Sequence, residues 1–129
     1  MKSLSVLIAD DEEDIRTLLQ LWLKADGHRI VCVGNATEAA KVMGRVQFDL
    51  IITDILMPDG DGLQLIGDFK AGQPEVRIVA MSGGGRYMER DNCLKIARGF
   101  GAHAAVMKPF DRQQLMDAVA QALAPAEKT

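Results

Sequence analysis

The chain has 129 residues, 48% of them hydrophobic and 26% charged, enough for one ordinary domain and too few for two, and too apolar for a disordered or collagen-like chain. Its 15 Lys plus Arg against 18 Asp plus Glu leave a net charge of -3, without a basic stripe of the kind that tracks a phosphate backbone, so direct nucleic-acid binding is not expected. The apolar run at 6–9 is cut by Asp10 and Asp11, far short of the roughly 20 apolar residues of a membrane span, and Cys32 and Cys93 form no CxxC pair, so a soluble cytoplasmic protein without a disulfide framework or cysteine-rich zinc site is expected.

Five short runs rich in Val and Ile, at 5–9, 29–33, 50–53, 77–81 and 104–107, read as strands, each followed by a segment of helical period. Such β-then-α alternation with little polar alternation inside the strands predicts a doubly wound (βα)5 parallel sheet, covered by helices on both faces, as a single domain over 1–129. The first helix is expected over 13–26, with Ile15, Leu18, Leu19, Trp22 and Leu23 as its apolar stripe and Gly27 as its left-handed stop. Cys32, in the next strand, is expected to be buried. Asn35 followed by Glu38 predicts a capping box for a second helix reaching about 44. A third is expected over about 63–71, before Gly72 and Pro74. Gly83, Gly84 and Gly85 delay the fourth to about Met88, after which Met88, Cys93, Leu94 and Ala97 line one face until Gly99 or Gly101. Asp111 with Gln114 caps the fifth, whose Leu115, Val119, Ala122 and Leu123 face inward, and residues 125–129 form a frayed tail.

In an open parallel sheet, ligands bind beyond the carboxyl ends of the strands, where strand order reverses. Here those positions hold Asp10, Asp11 and Glu12 after the first strand, Asp54 after the third, Ser82 after the fourth and Lys108 before Pro109 after the fifth. Any one of them alone is an ordinary cap, turn residue or surface amine; their joint placement on four strands is what points to chemistry. Gathered carboxylates repel unless a cation neutralises them, and hard oxygen donors suit Mg²⁺. Asp10, Asp11 and Asp54 contribute -3, which Mg²⁺ and Lys108 balance, so a phosphoryl group would draw Lys108 and the Ser82 hydroxyl inward. Asp54, alone at the end of a central strand, is the expected nucleophile toward phosphorus, with Asp10 and Asp11 as the metal pair.

With these residues set out, the chain closely resembles the receiver domain of two-component response regulators, from about Ser5 to Ala124, through "VLIADDEEDIR", "DLIITDILMPDGDGLQL", "IVAMSG" and "VMKPF". The resemblance implies flavodoxin-like strand order 2-1-3-4-5, phosphoacceptor Asp54, and Mg²⁺ held by Asp10, Asp11, Asp54 and the main-chain carbonyl of Leu56. It also implies a cis Lys108–Pro109 bond. A histidine kinase or histidine phosphotransfer protein would donate from phosphohistidine, Ser82 and Lys108 would engage the phosphoryl group, and a downstream effector or output domain would read the surface between the fourth strand and fifth helix. The chain would promote its own phosphorylation and dephosphorylation without being a turnover enzyme.

Three departures stand beside this likeness. Ala105 occupies the usual aromatic switch position three before the lysine. The stretch "GGGRYMERDN" lengthens the segment before the fourth helix, with Tyr87 as a substitute aromatic. Leu56 and Gly84 offer neither acid nor amide to orient attacking water, which predicts slow self-hydrolysis. Neither histidine, His28 nor His103, has a second nitrogen ligand at metal spacing, so neither is expected to have a special role. A phosphatase of the haloacid dehalogenase type would need a second Asp where Leu56 stands. A flavodoxin-type cofactor module would need a phosphate loop where "ADDEED" would repel phosphate. A degenerate receiver serving only as a docking module remains the alternative function.

Overall fold

Val and Ile runs that cannot satisfy their backbone alone pair into one parallel sheet: β1 (Ser5–Ala9), β2 (Arg29–Val33), β3 (Leu50–Asp54), β6 (Arg77–Ser82) and β7 (Ala104–Met107). Its order is β2-β1-β3-β6-β7, which numbers the five sheet strands 2-1-3-4-5 along the chain. The computed structural model describes residues 3–57, 60–83 and 90–125. Between the strands lie α1 (Glu13–Ala25), α2 (Ala36–Met43), α3 (Gly62–Gly72), α4 (Arg90–Phe100) and α5 (Arg112–Leu123). A two-stranded antiparallel ribbon, β4 (Leu56–Met57) and β5 (Gly60–Asp61), interrupts the path from β3 to α3. With two residues a strand it carries no periodic signal in the sequence.

Alternate strand residues face opposite cores. Leu7, Ile51, Ile78 and Ala80 pack with Leu65, Ile66 and Phe69 of α3, Ala39 of α2 and Ala97 of α4. Val6, Ile8, Ile52, Val79 and Met81 pack with Leu19 and Leu23 of α1 and with Leu115, Ala118, Val119 and Ala122 of α5. Both faces of the sheet are therefore dry, which is why its strands are nearly all apolar.

The caps follow the side-chain chemistry expected of them. Asn35 Oδ1 accepts the Glu38 amide at 2.8 Å, while the Glu38 carboxylate takes the Asn35 side-chain amide at 2.9 Å. Asp111 and Gln114 form the full reciprocal box on α5. Gly27 has φ +87°, and Gly101 after α4 has φ +116°.

Several expectations need correction. Leu18 and Leu123 are 36% and 38% exposed, because α1 buries Leu19 and Leu23 and α5 buries Leu115, Ala118, Val119 and Ala122 in their place. Cys32 is half-buried, since β2 is an edge strand with one flank uncovered. The fourth helix is described from Arg90, and the expected roles of Gly84, Gly85, Tyr87 and Met88 lie outside the described residues. Among the described residues, no helix is long and apolar enough to cross a membrane.

Candidate functional site

Four sheet strands end on one rim. β3 brings up Asp54 as its last residue, β6 brings up Ser82, and β1 and β7 run directly into Asp10 and Lys108. In the strand register Asp54 lies opposite Met81 and Ser82 opposite Met107, so Ser82 stands one residue beyond the neighbour of Asp54. The Lys108 amide donates to the Ser82 carbonyl at 2.7 Å, and the Lys108–Pro109 bond is cis.

The Lys108 ammonium is where the site converges. Its Nζ lies 2.7 Å from Asp10 Oδ2, 3.1 Å from Asp54 Oδ2 and 3.2 Å from Glu12 Oε1. Burial pulls the Lys108 pKa down, but Asp10 and Asp54 outweigh it and hold the amine well above its ordinary value. For Asp10 the balance runs the other way. Burial raises its carboxyl pKa, the neighbouring Asp54 charge adds to the rise, and Lys108 and the Glu12 amide oppose it only in part.

One carboxylate oxygen at each of Asp10, Asp11, Glu12 and Asp54 lies within 4.8 Å of the others. Asp10 and Asp54 are buried and Asp11 and Glu12 exposed, so the group has a buried floor and an open mouth. Asp10 Oδ2 is buried, with the Lys108 ammonium at 2.7 Å and no other hydrogen-bond donor on it among the described residues. A buried oxygen with that unmet capacity, surrounded by three more carboxylates, fits a hard divalent cation such as Mg²⁺. Leu56 follows Asp54 by two residues in β4, placing its backbone beside this group in the chain.

Arg16 carries no mark in the sequence that ties it to the site, and Glu12, which stands beside the acid pair at the end of the first strand, carries none for its contact with Lys108. Arg16, one turn into α1, donates from Nη1 to the main-chain oxygen of Asp10 at 2.8 Å and so fixes the backbone from which the acid pair projects. Glu12 gives its amide to Asp10 Oδ1 at 2.8 Å while its carboxylate reaches Lys108. Behind Asp54, the Gly62 amide donates to the Ile55 carbonyl at 2.8 Å, and α3 starts at that contact.

The family model described as "Response regulator receiver domain" matches residues 6–120. The DNA-binding transcriptional regulator NtrC of Azospirillum brasilense is 38% identical over 123 residues, covering 95% of this chain and 25% of that protein. The response regulator protein PilR of Pseudomonas aeruginosa is 33% identical over 123 residues, with 95% and 27% covered. This chain thus spans about a quarter of the length of the curated relatives it matches. A two-component response regulator from Clostridium difficile superposes with TM-score 0.82 at 26% identity, over 95% of this chain and 96% of that one. NtrX from Brucella abortus gives TM-score 0.84 at 29% identity, over 95% and 27%.

Proposed function

This chain belongs to the response regulator receiver domain family, and from that premise we propose that residues 1–129 form one receiver whose phosphoacceptor is Asp54. The observation that carries this reading is the Lys108 ammonium held between Asp54 Oδ2 and the buried Asp10 Oδ2. A cation fixed beside the candidate nucleophile supports it, because phosphoryl transfer depends mainly on positioning and charge neutralisation.

Asp10, Asp11, Asp54 and the Leu56 carbonyl would hold Mg²⁺, which when bound supplies charge neutralisation for the phosphoryl oxygens. A histidine kinase or histidine phosphotransfer protein presents phosphohistidine. An Asp54 oxygen attacks phosphorus in line, the Asp54 O–P bond forms as the P–N bond breaks, and the electron pair goes to imidazole, which takes a proton from solvent. Lys108 then exchanges its carboxylate partners for a phosphoryl oxygen, and the Ser82 hydroxyl donates a second hydrogen bond. Because Lys108 and Ser82 are joined through their main chain, that exchange biases the surface made by β6, β7 and α5, which an effector or output domain reads. The reading is of a switch on which another protein acts, in the cytoplasm, without turnover of a separate substrate.

The test is intact-mass analysis after incubation with acetyl phosphate, with and without Mg²⁺, on the wild type and Asp54→Asn. The expected result is a Mg²⁺-dependent gain of one phosphoryl group that is lost in the variant. No gain, together with no Mg²⁺ binding, would replace this reading with a docking module that works without phosphorylation.

A further inference from the structure

Glu12 occupies the N-cap position of α1 but makes no side-chain capping hydrogen bond. Glutamate is not among the residues favoured at that position, and its carboxylate is turned instead to Lys108 Nζ, 3.2 Å away and 96 residues along the chain. The side chain is 58% exposed, whereas those of Asp10 and Asp54, the other two partners of Lys108, are 0% and 8% exposed. Glu12 therefore stands at the mouth of the site and is its one exposed contact with the lysine among the described residues. It also upsets the charge count. Four carboxylates give -4, against +3 from Lys108 and a divalent cation, so the loaded site keeps one negative charge on the side from which a donor arrives.

We propose that Glu12 is a specificity-determining residue: it tethers Lys108 in the resting site and repels small anionic phosphodonors from Asp54. This rests on the reading of Asp54 as phosphoacceptor. A small donor such as acetyl phosphate carries its own negative charge past Glu12 and must also draw Lys108 away from it. A protein donor can meet the Glu12 carboxylate with a cationic side chain of its own, so the same residue that slows small molecules is no obstacle to it.

The experiment measures the initial rate of phosphorylation by acetyl phosphate at saturating Mg²⁺ for the wild type, Glu12→Gln and Glu13→Gln, at low salt and in 1 M salt. Glu13 is exposed and adjacent, so its variant makes the same change in net charge outside the site. Glu12→Gln is expected to react about three- to tenfold faster than the wild type at low salt. The advantage should shrink to less than about twofold in 1 M salt, where the screening length is roughly 3 Å, and Glu13→Gln should match the wild type. Equal rates for Glu12→Gln and the wild type, or equal acceleration by both variants, would overturn the proposal and leave the role of Asp54 standing, since all three proteins are labelled. If none is labelled and none binds beryllofluoride with Mg²⁺, the Asp54 reading fails and this inference fails with it. Binding of beryllofluoride without labelling would move the comparison to its affinity, with the same three- to tenfold gain expected for Glu12→Gln alone.

Discussion

A Cβ at position 62 would run into the carbonyl oxygens of Asp54 and Ile55 and the carbonyl carbon of Ile55. These are backbone atoms, which cannot swing aside as a flexible side chain can, so the segment carrying Asp54 would have to shift. Gly62→Ala is expected to cost about 2–3 kcal/mol, in the range for overpacked sites, and to lower the phosphorylation rate at temperatures where the protein is still folded. Urea denaturation and the acetyl phosphate assay check the two halves. Arg16 acts on the other side of the site, where its guanidinium holds the Asp10 carbonyl and also lies 3.3 Å from where a side chain at Gly34 would begin. The acids themselves were legible in the sequence because each ends a strand. Arg16, Gly62 and the reach of Glu12 were not, since they depend on how a helix start and a turn are aimed, which no periodicity encodes.

Both edge strands are preceded by a histidine that accepts a main-chain amide. His28, before β2, takes the Leu4 amide on Nδ1 at 3.1 Å, and His103, before β7, takes the Ile78 amide on Nδ1 at 3.1 Å while giving its own amide to the Ile78 carbonyl. With Nδ1 accepting, the neutral ring of His103 carries its proton on Nε2, which faces Lys70 Nζ at 3.4 Å. Burial, then the charges of Lys70 and Arg77, push its pKa down to about 4 from the ordinary 6.5. The unfolded chain therefore binds more protons than the folded one between those values, and stability must fall as pH drops from about 6.5 toward 4. Allowing for solvent screening of a half-buried ring, the loss is about 1–2 kcal/mol. Chemical denaturation at pH 7 and pH 4.5 should show it, and His103→Gln should remove that part of the pH dependence. No special role was expected for these histidines; each closes a strand junction, a part that becomes visible only once the strands are paired.

One sheet serves two cores, so a defect in either weakens the only scaffold that holds the rim. Phe69 is fully buried among the residues between the sheet, α2, α3 and α4. Phe69→Ala is expected to cost about 3–5 kcal/mol, a large part of the roughly 5–15 kcal/mol available to a domain. Thermal unfolding of the variant should show a lower Tm, with Trp22 fluorescence from the opposite face and far-UV dichroism from the whole fold still moving together. The five strands were readable from short Val and Ile runs alternating with helical segments, the caps of α2 and α5 from Asn35 with Glu38 and Asp111 with Gln114, and the strand order from the family motifs. The ribbon between β3 and α3 and the outward turn of Leu18 and Leu123 were not, because they depend on three-dimensional packing. The same strand order has a consequence for solubility. A sheet of order β2-β1-β3-β6-β7 has two rims of main chain to which another polypeptide could add and begin an aggregate. β2 opens with the exposed Arg29, and β7 is four residues long and is followed within two residues by Pro109, which has no N–H to donate. A strand laid against β7 would find almost no ladder to extend, so the molecule can present a strong site at the tips of its strands without inviting stacking along their sides.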